Sequence, residues 1–130
     1  MSADSYQNNL KELSDSKFTI AEGESDIRGW LVKNTQGRLL GKVNDLIFDV
    51  KEGKVKYLIL DLDGNELYLQ VRKVLLPLDI AELDLVSKNV IFPGLMASEL
   101  TSLPSYERGM ISSRYEEIIR NVFYDQVARI

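Results

Sequence analysis

At 130 residues with 45% hydrophobic content, the chain is one domain's worth and can fill its own core, burying roughly two-thirds of the surface its unfolded form exposes. It has neither cysteine nor histidine, which excludes disulfides, thiolate catalysis, the common zinc sites and any triad built on an imidazole. Twenty acidic residues against sixteen basic ones give a net charge of −4 without a Lys/Arg cluster, which argues against direct nucleic-acid binding, and no run of about 18 apolar residues is present to cross a bilayer.

Residues 1–25 read as an N-terminal segment. Its first residues, Ser2 to Asn9, have neither the basic start nor the apolar stretch of a signal peptide, so the expected location is cytoplasmic. Tyr6, Leu10 and Leu13 fall at helical spacing and predict one short amphipathic helix, interrupted at Asp15 and Ser16. The main body follows as short strands separated by turn residues. The first covers Gly29 to Lys33 and turns at Asn34 to Gly37. The second runs from about Leu39 to Val50, with Gly41 a bulge or sharp bend. Lys51, Glu52 and Gly53 make a hairpin connection to a third strand, Lys54 to Leu62, whose run Tyr57-Leu58-Ile59-Leu60 suits a strand covered on both faces.

After a turn at Asp63, Gly64 and Asn65, the stretch Glu66 to Arg72 alternates and predicts a further strand, with Leu67, Leu69 and Val71 on one face. Val74 to Leu76 is an apolar strand stopped by Pro77, and Leu83 to Val86 and Val90 to Phe92 complete the series. Short strands at this spacing, with no long helix between them, predict a small barrel or sandwich rather than a parallel α/β sheet. Beyond Pro93 and Gly94 the pattern becomes helical. Met96 to Leu100 makes one turn, Leu103 to Tyr106 a linker, and Ser113 to Val127 a longer helix. Ser113 and Glu116 have capping-box spacing, and Tyr115, Ile118, Ile119, Val122 and Phe123 form one apolar stripe.

The succession Asp26-Ile27-Arg28-Gly29-Trp30, Gly37-Arg38, Gly41-Lys42-Val43, Asp45-Leu46-Ile47 and Asp49 resembles the opening of a PRC-barrel domain. Val55 to Leu60 is similar to that family's central hairpin strand, and Val74-Leu75-Leu76-Pro77 to its closing strand. The resemblance covers about Asp26 to Phe92 and rests on the order and spacing of these pieces. It implies a mainly β fold, a small, highly bent antiparallel β-barrel at 26–95, followed here by a helical C-terminal extension at 96–130. The family includes the cytoplasmic part of the photosynthetic reaction-centre H subunit and the C-terminal domain of a ribosome maturation factor that binds a ribosomal protein. This sequence has neither the membrane helix of the first nor the preceding barrel of the second, so a free-standing soluble member is expected.

Candidate chemistry is sparse. Asp61, Asp63, Asn65 and Glu66 place oxygens as in the first half of a calcium loop, but Glu66 and Arg72 stand where that loop needs glycine and glutamate, so a hairpin turn is the expected reading. Asp45 and Asp49, four apart on one strand, can be an acid–base pair or two carboxylates satisfied by turn amides or water, and the second is expected. No catalytic residue, cofactor or metal is assigned. The expected function is a non-catalytic protein–protein adaptor of PRC-barrel type, with protein partners that include a second copy of itself as a homodimer, no direct nucleic acid and no membrane insertion. Trp30, Tyr57, Tyr115, Ile118, Ile119, Val122 and Phe123 are the candidate contact residues, with core packing the competing reading for Trp30. The helical stripe either covers the chain's own barrel or docks on another subunit. The resemblance leaves two further roles open: an accessory in ribosome maturation acting through a ribosomal protein, and a regulatory subunit of an electron- or proton-transfer complex.

Overall fold

The computed structural model describes residues 9–16, 20, 25–70, 72–109 and 111–124. Among these residues seven strands form one sheet: β1 Leu10–Glu12, β2 Leu31–Asn34, β3 Leu39–Asp49, β4 Lys54–Asp61, β5 Lys73–Pro77, β6 Glu82–Asp84 and β7 Asn89–Phe92. Two helices follow, α1 Ala97–Ser102 and α2 Ser113–Phe123. The hydrogen-bonded order is β5-β4-β3-β2-β7-β6, with β1 added to β3. Among the described residues no helix is long and apolar enough to cross a membrane.

The eleven-residue β3 is the hub. One of its edges carries β4 along most of its length, from Lys42 opposite Asp61 to Asp49 opposite Lys54. The other edge is divided: β2 pairs with its first residues and β1 with its last three. A strand can serve both only if it bends, and the register slips beside Gly41 and again near Asp45 and Phe48 supply the bends. Gly41 has φ 147°, and a Cβ there would lie 2.0 Å from the Asp61 carbonyl oxygen, so only glycine fits. The β3–β4 hairpin closes as its sequence suggests. Asp49 Oδ1 accepts from the Lys51 and Glu52 amides at 2.8 and 3.0 Å, and Gly53 takes φ 70°.

The core is one cluster. Leu58, Ile59 and Leu60 of β4 meet Val74, Leu75 and Leu76 of β5, Leu40, Leu46 and Ile47 of β3, and Val90 and Phe92 of β7. Leu100, Leu103, Tyr106, Tyr115 and Ile119 belong to the same cluster, so the helical C-terminal segment packs into the core of the chain's own sheet.

Several expectations need correction. Leu10 to Glu12 forms a strand paired with β3, and Leu13 to Asp15 a 3₁₀ turn, so there is no helix across Leu10 and Leu13; Tyr6 lies outside the described residues. Sheet pairing to β3 outweighs a three-residue helical pattern that is too short to nucleate alone.

Glu66 to Gln70 is a loop. Asn65 explains it, because its Oδ1 accepts from the Leu67 and Leu69 amides at 3.0 and 2.9 Å while its Nδ2 donates to the Leu62 and Leu69 carbonyls at 2.9 Å each. Those backbone groups are then unavailable for a ladder. The alternation survives only as burial, with Leu67 and Leu69 against the core and Tyr68 in solvent at φ 61°.

The pairing is not wholly antiparallel either. β2 and β7 run parallel, which the long connection between them permits. Nor do β5 and β6 pair among the described residues: β5 ends at Pro77, which has no N–H to donate, and a 3₁₀ turn at Leu78–Ile80 leads on to β6.

Gly41→Ala is expected to destabilise the chain by about 3 kcal/mol or more, since the clash is with backbone and the φ is hostile to any Cβ. Urea unfolding followed by circular dichroism measures this. A midpoint equal to that of the parent chain would mean the bend has another cause.

Candidate protein-binding surface

The predicted contact residues come together except for Trp30, and they do so by turning inward. Tyr57, on β4, is buried, and its hydroxyl donates to Glu116 Oε1 of α2 at 2.7 Å. Tyr115 and Ile119 are buried, while Ile118, Val122 and Phe123 lie half-buried against the same core. The stripe is thus the face that α2 lays on its own barrel. Trp30 is also half-buried against the core, held by its amide to the Ile27 carbonyl at 3.0 Å and by its carbonyl, which accepts from the Val43 amide at 2.9 Å.

The cap of α2 differs by one residue from its expected position. Ser112 is the N-cap, its Oγ accepting from the Tyr115 amide at 3.1 Å, and Glu116 reaches Tyr57 instead of the helix backbone. Residues 125–127 of the expected helix lie outside the described residues.

The segment from α1 to α2 seals the outer edge of β5. The Lys73 carbonyl accepts from the Tyr106 amide at 2.7 Å, and the Leu75 amide donates to the Tyr115 hydroxyl at 3.4 Å. That hydroxyl in turn donates a hydrogen bond to the Pro104 carbonyl at 2.6 Å. Arg72 donates to the Leu100 and Leu103 carbonyls, and the Tyr106 and Tyr115 rings meet edge to face at 6.1 Å. An edge as apolar as Val74-Leu75-Leu76 would invite foreign strands, and here it is covered.

The carboxylates considered for catalysis are spent on holding the chain together. Asp45 is buried in a cleft of about 510 Å³, where it accepts from Ser14 Oγ at 2.9 Å, the Ser14 amide at 3.3 Å and the Leu46 amide at 2.8 Å. Ser14 Oγ also takes a hydrogen bond from Arg28 at 3.1 Å, and Arg28 pairs with Asp26, whose carboxyl it holds below the usual value. Beside them Glu12 accepts from the Tyr106 hydroxyl, tying β1 to the linker before α2.

Asp49 closes its hairpin, as described above, so the two aspartates serve separate segments. In the calcium-like string, Asp61 Oδ1 accepts from the Asp63 amide at 3.0 Å and Glu66 Oε1 from the Leu39 amide at 2.9 Å, the contacts of a turn. Among the described residues no group of three or more acidic side chains is placed to hold a metal.

Beneath α2 lies a shallow groove of about 490 Å³ between Lys54, Lys56, Pro77 and Arg120. Two tyrosine–carboxylate bonds line it, Tyr57 to Glu116 and Tyr124 to Asp79. The opposite edge of the sheet is different. β6 pairs with β7 on one side and with no strand on the other among the described residues. Around it stand Leu83, 42% exposed, Leu85, 60%, and Val86, 95%. Asp84 Oδ1 accepts from the Val86 and Ser87 amides and shapes the turn that lifts Val86 outward. Sequence reasoning placed Leu83 to Val86 in a strand and missed the surface. The signal available was three large apolar residues within four positions just ahead of a polar turn.

A family model, PRC-barrel domain, matches residues 22–95. No curated protein matches the chain.

Tyr115→Phe should cost about 1–2 kcal/mol by leaving the Leu75 amide and the Pro104 carbonyl without their partner, while the packed ring keeps the fold; chemical denaturation measures the shift. Alkali should act through the same groups. Burial pushes the Tyr115 hydroxyl up to about 12, against the lowering pull of the Leu75 amide and Arg72. Burial first, and then the carboxylates they bond, raise Tyr57, Tyr106 and Tyr124 well above the ordinary phenol value. Each phenol holds its proton more tightly folded than unfolded, so this stability is complete below about pH 10 and is lost as pH rises beyond it. Tyrosinate absorbance and loss of circular dichroism should therefore rise together above pH 10; ionisation of these phenols at ordinary values in an intact fold would contradict the assignment.

Proposed function

We propose that this chain, which belongs to the PRC-barrel domain family, is a non-catalytic protein-binding module. The observation that carries the reading is the division of labour among its side chains. Asp45, Glu12, Glu66 and Glu116 each accept hydrogen bonds that tie one segment to another and Asp49 closes its own turn, while Leu83, Leu85 and Val86 stand exposed at a strand whose outer side carries no other strand among the described residues. An apolar group beside an edge strand supports contact with another protein more than it supports chemistry. α2 then has a supporting role: it completes the core and holds the barrel rigid, so that the β6–β7 hairpin is presented without rearrangement. A different protein and a second copy of the chain are both forms of the same reading, and the mass of the captured adduct tells them apart.

A photo-cross-linking residue at Val86 of the full chain, expressed in its own cells, tests this against the same residue at Glu52 in the β3–β4 turn. The expected result is a discrete adduct from position 86 alone. An adduct at twice the chain's own mass would identify self-association. Identical patterns from the two positions, or no adduct from either, would overturn the reading.

A further inference from the structure

Resting on that reading, we infer that the open side of β6 takes an extended segment of another protein as an added strand, with a basic–apolar–basic sequence opposite Glu82, Leu83 and Asp84. The two edges of the sheet set up the contrast. The β5 edge is closed by Tyr106, Tyr115 and a terminal proline, whereas β6 has no strand beyond it among the described residues. A strand edge offers backbone donors and acceptors in a row, so an incoming chain gains main-chain hydrogen bonds there whatever its side chains.

Side chains then choose the partner. Alternation puts Glu82 and Asp84 on one face of the strand and Leu83 on the other, where its cross-strand neighbour is the buried Val90. Leu83 therefore extends the core's apolar surface to the rim, and an apolar residue placed opposite it would continue that layer.

On the other face Glu82 is exposed, and neither Glu82 nor Asp84 has an ion-pair partner among the described residues. A second copy of this chain fits poorly. Antiparallel self-pairing centred on Leu83 would set Glu82 directly opposite Asp84, and like charges facing each other across a ladder are destabilising. Lysine or arginine at those two positions reverses the sign of the interaction. Leu85 and Val86, beyond the end of β6, offer the same partner a further apolar contact.

The test uses the full chain and a dye-labelled peptide alternating lysine and valine, with two controls: the same peptide with glutamate for lysine, and the lysine peptide methylated at alternate backbone amides. Methylation keeps the charge and abolishes strand pairing. The expected result is micromolar binding of the lysine peptide with amide shifts confined to residues 81–86, weakened about tenfold or more by methylation, by the glutamate exchange and by Glu82→Lys. Glu82 is exposed, so that variant folds, and circular dichroism verifies it. Equal binding of the methylated peptide, or shifts scattered over the acidic surface, would reduce the effect to net charge and overturn the inference. Sedimentation of the chain alone as a dimer that Glu82→Lys changes would overturn it in favour of a second copy. If position 86 still cross-links a protein while the peptides fail, the module reading stands and the partner chemistry proposed here falls.

Discussion

Where β3 passes the end of β4, the two backbones come so close that a methyl group at position 41 would sit 2.0 Å from the Asp61 carbonyl oxygen. That approach lets β3 leave one pairing geometry and enter another. Before the bend its free edge belongs to β2, and through β2 to β7 and β6; after it the same edge belongs to β1. A straight β3 would serve one set or the other. The layered core follows from this single bend, because it brings Val32, Val90 and Phe92 into the same cluster as Leu58, Leu60 and Leu75. Asp45 lies beyond the bend at a second register slip, where it is buried and receives Ser14 from the N-terminal segment.

Side-chain hydrogen bonds add to strand pairing and the core in joining segments distant in sequence. Ser14 meets Asp45, Tyr106 meets Glu12, Tyr57 meets Glu116, Arg72 meets the carbonyls of Leu100 and Leu103, and Glu66 meets the Leu39 amide. A buried carboxylate or hydroxyl without a partner is costly, so each such pair fixes one arrangement over others with equal apolar burial. Only residues 22–95 match the family, yet the helices beyond them supply Leu100, Leu103, Tyr115 and Ile119 to the common core and close the β5 edge. The tail is part of the chain's own core, so the apolar face of α2 is already occupied.

The two rims differ in composition and in what covers them among the described residues. One is apolar, long and sealed by tyrosines; the other is short, acidic and flanked by exposed leucine and valine. Sealing the first protects against unspecific strand addition, since its run Val74-Leu75-Leu76 would accept almost any apolar strand. The second carries no further strand among the described residues, and Glu82 and Asp84 stand on it.

Local chemistry made much of this legible from the residues alone. Gly41 as a bend, Lys51 to Gly53 as a hairpin, Pro77 as a strand end, the apolar strands β3 to β5 and the apolar stripe of α2 all follow from backbone preference and periodicity, which act over a few residues. The errors arose where a contact distant in sequence outweighed the local pattern. Pairing with Ile47 to Asp49 made Leu10 to Glu12 a strand, and the anchoring of Glu66 on Leu39 stands beside Asn65's four hydrogen bonds in turning an alternating stretch into a loop. Whether the stripe of Tyr115, Ile118, Ile119, Val122 and Phe123 would face its own barrel, and which of seven strands would be left with an open side, depend on how segments dozens of residues apart are brought together. Periodicity carries no information about that arrangement, because the free energy deciding it arises only when the core and the sheet edges are assembled.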